Sequence, residues 1–141
     1  MRFKLSSCAA VIAFGLISPA AHTQELTPGA KLQITPGVTR TVIQKTDFPG
    51  DQYATLLYIA EIAPGATVAR HTHPGVESVY VVEGQGDLTM GHEPAKRIKA
   101  GDAYQMPAGM PHGIRNGDQP TKLMVTLVYE KNKPIASPAP E

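Results

Sequence analysis

The sequence predicts a single all-β domain, a sandwich or barrel of short strands. Three observations predict it. Glycine and proline number 13 each, and they break the chain at intervals of about 8–12 residues, the spacing of strand-and-turn folds. Between the breaks lie short runs rich in Val, Ile, Thr and Tyr, residues that suit a pleated, half-buried surface. Beyond the N-terminal segment, no stretch sustains a helical period.

Gln24 to Pro36 is polar and turn-rich and reads as a loosely held arm. Val38–Lys45 mixes apolar and polar residues in strand fashion. Tyr53–Ile62, without Gly or Pro, is the most apolar stretch after the N-terminal segment and reads as a buried strand. Pro64-Gly65 is a turn signal. Ala66–His73 is a strand closed by Pro74-Gly75, and Val76–Glu83 is another, ended by Gly84-Gln85-Gly86. Asp87–Met90, Lys96–Lys99, Ala103–Met106 and His112–Arg115 are shorter strands between breaks, and Thr121–Tyr129 closes the fold. Pro134–Glu141 holds three prolines in eight residues and reads as an extended or disordered tail.

The first residues are of another kind. Arg2 and Lys4 precede an apolar run from Leu5 to Ile17, and small residues follow at Ser18, Ala20 and Ala21. This is the pattern of a secretory signal peptide. The run is short for a span, which needs ~20 apolar residues, so no stable membrane anchor is expected. The expected division is therefore 1–23 signal peptide, 24–52 arm and first strand, 53–130 barrel, and 131–141 tail. Export implies the periplasm, with extracellular release as the alternative. Cys8 is the single cysteine and would leave with the signal. The mature chain then has no disulfide, no thiolate metal site and no cysteine nucleophile. The formal net charge of +1, from 13 basic and 12 acidic residues, gives no electrostatic reason to expect nucleic acid as a partner.

Chemistry concentrates in two segments. The first runs Gly65-ATVAR-His71-Thr-His73-PGV-Glu77-SVYVVE-Gly84, the second Gly101-DAYQM-Pro107-Ala-Gly109-MP-His112-GIR-Asn116. Residues i and i+2 of a strand face the same side, so His71 and His73 present both imidazoles together. The Pro74-Gly75 turn then returns Glu77 to that side, one hairpin supplying two nitrogens and a carboxylate. The tight turn at Pro107 and Gly109 delivers His112 at the start of its own strand. Three imidazoles and a carboxylate suit one divalent transition metal: Fe, Mn, Ni, Cu or Zn. Gly65, Gly84, Gly101 and Gly109 read as turn formers, Asp102 as a turn cap, and Asn116 as a backbone anchor after the ligand strand. His92 reads as an exposed histidine, and Lys96–Lys99 as a solvated edge strand.

These segments resemble the paired motifs of the cupin superfamily, whose ten fixed positions are all met between Gly65 and Asn116. The 16 residues between the motifs, Gln85 to Ala100, resemble the spacing of compact single-domain bacterial members. The resemblance implies a double-stranded β-helix, or jelly roll, with His71, His73, Glu77 and His112 as metal ligands. It also implies a homodimer. Four protein ligands leave open positions on a six-coordinate ion. The expectation is thus a metal-dependent dioxygenase acting on a small organic molecule, with Glu77 also available as a catalytic base, as resemblance to flavonol-cleaving cupins allows. A non-catalytic binding module and a Lewis-acid isomerase or lyase are the alternatives, since one fold hosts all three. Val79, Val81, Ile114, Met90, Met106, Met110, Tyr58, Tyr80 and Tyr104 are the candidate pocket residues. No basic cluster is expected on the pocket side, and Arg70 should point away by alternation. That favours an uncharged or aromatic small-molecule ligand.

Overall fold

The computed structural model describes residues 26–140. The segment read as a signal peptide, with Cys8, lies outside the described residues. Eleven strands form: β1 Lys31–Thr35, β2 Val38–Asp47, β3 Tyr53–Ile62, β4 Thr67–Thr72, β5 Gly75–Glu83, β6 Gln85–Met90, β7 Lys96–Lys99, β8 Ala103–Met106, β9 His112–Asn116, β10 Thr121–Glu130 and β11 Ser137–Pro138. They build two antiparallel sheets, a six-stranded one in the order β1-β2-β3-β10-β5-β8 and a five-stranded one in the order β11-β4-β9-β6-β7. Packed face to face, they make the double-stranded β-helix.

Alternation fixes which face is inside. Along β10, Thr121, Leu123, Val125, Leu127 and Tyr129 are buried, while the residues between them are not. β3 follows the same rule, with Ala54, Leu56 and Tyr58 inward and Leu57 and Ile59 only half covered. It is therefore a one-sided strand, not the fully buried one its apolar run suggested. Its outer face is only half covered, because among the described residues no third layer packs on this sheet.

Asn116 ends β9 as a buried tie. Its Nδ2 lies 2.9 Å from the carbonyls of Ile62, Ala63 and Gln119, and its Oδ1 accepts from Thr121 Oγ1 at 2.7 Å. Asp102 accepts from the Lys99 amide at 2.9 Å and so caps its turn. β7 is an edge strand and His92 is exposed.

Two segments differ from expectation. The supposed loose arm contains β1, which pairs with β2 from Lys31↔Thr41 to Thr35↔Val38. The tail is extended and docked: Ser137 and Pro138 pair with Thr72 and His71 of β4. Proline cannot donate to a ladder, but at an edge it need not. Both segments are held by backbone bonds to the edge of a neighbouring strand.

Candidate metal centre

His71 of β4 lies directly opposite His112 of β9 in the five-stranded sheet. The pairing slips between Val68 and His71, where β4 carries one residue more than β9. This bulge turns His71 inward, a common device beside functional sites. The bulge is crowded against Gly113, where a Cβ would lie 2.8 Å from the Val68 carbonyl oxygen. His73 follows the end of β4, as the chain crosses to the other sheet. Glu77 then stands in β5, opposite Met106 and Leu127. The expected hairpin is thus corrected. β4 and β5 belong to different sheets, and Thr72–Pro74 is a crossover, because the jelly roll wraps the chain across the barrel at that point. The second motif is tied to the first by the Gly109 amide, which donates to the His73 carbonyl at 2.9 Å. Gly109 takes φ 75°, a backbone conformation glycine adopts without strain.

The three imidazoles converge. Their ring centroids are 4.8 Å (His71–His73), 4.3 Å (His71–His112) and 5.2 Å (His73–His112) apart. Each Nδ1 is turned to a backbone carbonyl: His71 to Ala69 at 2.8 Å, His112 to Met110 at 2.8 Å, and His73 to Ile135 of the tail. A carbonyl only accepts, so each Nδ1 carries a hydrogen, and a neutral ring then keeps its lone pair on Nε2. Three lone pairs therefore point at one spot, with His71 Nε2 3.2 Å from His73 Nε2. One potential ligand atom from each ring lies within 4.8 Å of the others. Facing lone pairs repel unless a cation sits among them, so the donor set fits a divalent ion.

Glu77, 5% exposed, adjoins this cluster. Its Oε2 is 3.0 Å from His112 Nε2 and its Oε1 3.5 Å from His73 Nε2. Oε1 also accepts from Tyr58 Oη at 2.8 Å. Burial alone would push the carboxyl up, but in the metal-free site the His112 and His73 rings, when protonated, more than offset this and hold it below the usual carboxylate range. Burial, then the neighbouring His112, pulls His71 down to about 4, so its imidazole stays neutral and available as a ligand at ordinary pH.

A cavity of about 260 Å³ opens on this cluster. Tyr58, Val79, Tyr104, Met106 and Ile114 line it as the sequence suggests, but Tyr80, Met90 and Met110 do not. Tyr80 is 48% exposed, because residues of β5 odd in number face inward. Arg70 binds the Gly91 and Pro140 carbonyls at 2.8 and 2.9 Å and so faces away from the imidazoles. Arg40 was missed. Its guanidinium lies 4.5 Å over the ring of Tyr58 in the cavity wall. Strand alternation alone cannot say which face of an isolated β2 is inside. Thr35, Arg40, Tyr104 and His112 hold the four buried side-chain polar atoms that lack a hydrogen-bond partner among the described residues. All four residues line this one cavity.

A cupin domain family model matches residues 58–128, which include all four candidate ligands. Dimethylsulfoniopropionate lyase DddQ of Ruegeria pomeroyi is 30% identical over 78 residues, 55% of this chain and 38% of that protein. The chain thus spans well under half the length of the curated relative it matches. An RmlC-like cupin from Shewanella frigidimarina superposes with a TM-score of 0.60 at 20% identity, over 74% of this chain and 86% of that one. The polyketide cyclase RemF from Streptomyces resistomycificus gives 0.59 at 24% identity, over 81% and 75%. These two likenesses establish the fold alone. With the family match over half its length, the chain belongs to the cupin domain family.

Proposed function

We propose that this cupin is a metal-dependent enzyme acting on a small organic molecule, with His71, His73, His112 and Glu77 holding one divalent transition metal. One observation carries the reading. The described residues' partnerless buried polar atoms all belong to residues around one apolar cavity, and one of them is the lone pair of His112 Nε2. Folded proteins satisfy such groups, and clusters of exceptions mark sites.

Lyase or isomerase chemistry is the first reading. A bound ion would supply Lewis-acid polarisation of a substrate oxygen. Glu77 is ionised, buried and oriented by Tyr58, so it can take a proton from a substrate carbon held beside it. The hydrogen bond from Tyr58 fixes Oε1 and leaves Oε2 as the proton acceptor. The lyase named among the relatives supports this reading. Dioxygenase chemistry is the second, favoured by an apolar wall that keeps water from a reactive centre.

Elemental analysis of protein purified from its native compartment tests the metal. Turnover of a small-molecule panel, run with and without oxygen, separates the readings: lyase turnover persists without oxygen and dioxygenase turnover stops. Binding without turnover of any compound would make the chain a ligand-binding module. The proposal extends to a homodimer joined through the outer face of the six-stranded sheet, where Tyr80 and Met124 pair and are 48% and 46% exposed. Sedimentation tests that. Export to the periplasm is proposed from the N-terminal sequence, and cell fractionation tests it.

A further inference from the structure

The cavity wall is mostly apolar and holds two arginines: Arg70, engaged by the Gly91 and Pro140 carbonyls, and Arg40. Arg40 projects from β2, opposite Leu32 and Ala60. Its guanidinium carbon lies 4.5 Å from the centroid of the Tyr58 ring. Its Nε is buried and donates to nothing among the described residues. The same holds for Tyr104 Oη on β8, whose phenol burial and the Glu77 charge push up, so that it stays protonated and able to donate. Thr35 Oγ1 on β1 is the third such group. Val38, Val79 and Val125 separate these donors with apolar surface. Glu77, the carboxylate in the same cavity wall, is already engaged by Tyr58.

Arg40 is half-buried, but its buried Nε needs an acceptor, and a planar anion meets the guanidinium fork best. We infer that the cavity recognises a small organic carboxylate, with Arg40 as the anion anchor and Tyr104 and Thr35 donating to the same carboxylate or to an oxygen beside it. This inference rests on the proposed function for the site but not on the metal. Arg40 is set apart from the imidazole cluster by the Tyr58 ring and the Glu77 carboxylate. A molecule bound this way presents its carboxylate to the six-stranded sheet and its other end to the metal. The uncharged ligand expected from sequence gives way to an acid with an apolar body.

Calorimetry with matched acid and amide pairs tests this: acetate and acetamide, butyrate and butyramide, benzoate and benzamide. Each pair is titrated into metal-free and zinc-loaded protein. The expected result is that at least one acid binds tighter than its amide by on the order of tenfold in both forms, because a hydrogen bond to a charged group is worth about that factor. Arg40→Met should erase the preference and Arg40→Lys should keep part of it. Tyr104→Phe, which leaves packing intact, should weaken the acid several-fold and leave the amide unchanged. Circular dichroism reports whether the variants fold. Equal binding of every acid and amide, no binding of any acid, or a preference that survives Arg40→Met overturns the inference. A preference seen only with zinc also overturns it, since the carboxylate would then be a metal ligand. Loss of zinc binding with an intact acid preference would instead strike at the proposed function and leave Arg40 as the anchor.

Discussion

The two sheets divide the chemistry between them. The five-stranded sheet carries nitrogen: His71 on β4, His112 on β9, and His73 where the chain leaves β4. The six-stranded sheet carries oxygen and positive charge: Glu77, Tyr58, Tyr104, Thr35 and Arg40, on five different strands. Each imidazole of the first is held by a carbonyl within its own sheet, the connecting turns or the tail. Groups of the second hold one another through the Arg40–Tyr58–Glu77 stack. The difference teaches how a jelly roll makes a site. One layer presents lone pairs to a metal, the opposite layer presents donors to a substrate, and the cavity is the space between the layers.

The comparison can be broken from either side, and the imidazole side should break hardest. His112→Ala removes a ligand from the five-stranded sheet. Metal affinity should fall on the order of 100-fold or more, beyond the 10–100-fold loss typical of outer-shell partners; equilibrium dialysis with zinc measures it, and full occupancy would refute the ligand set. Gly113→Ala presses a Cβ on the β4 bulge, 2.8 Å from the Val68 carbonyl oxygen. Overpacking of this kind costs about 1–3 kcal/mol, read as a lower urea midpoint.

Deleting residues 135–141 removes the Ile135 carbonyl from His73 Nδ1 and β11 from β4. The ring loses its orienting partner, so metal affinity should drop about tenfold while the fold persists. An unchanged zinc isotherm would show that the tail is mere covering. On the opposite sheet, Tyr58→Phe deletes the hydrogen bond to Glu77 and should cost metal-free protein about 1.5 kcal/mol in chemical denaturation. It should change metal affinity less than the tail deletion does. The reverse order would mean that Glu77 matters more to the metal than His73.

The last test is in pH. An unfolded chain protonates His71 near 6.5, whereas the folded site resists until about 4. Between those values the unfolded state binds more protons, so the metal-free fold loses stability as pH falls from 6.5 toward 4. Thermal melts across that window measure it, and a His71→Gln variant should flatten the profile.

Much of this molecule was legible in its sequence because strands and turns are local. Tyr53–Ile62, Lys96–Lys99 and Ala103–Met106 form as their breaks predict. The Gly101–Asn116 spacing places His112 at the first residue of β9. The edge elements were not legible. β1 and β11 are polar segments that pair only because β2 and β4 are already in place.

The sequence by itself determined that the fold is all-β and which histidines and carboxylate stand together in its motifs. Only the tertiary structure decided how they meet. It put His71 opposite His112 through a bulge, moved Glu77 to the other sheet, and brought the tail back onto His73. It also turned Arg40 inward, onto Tyr58. The reason is physical: alternation assigns residues of a strand to two faces, but which face becomes the inside is set when the two sheets close on each other.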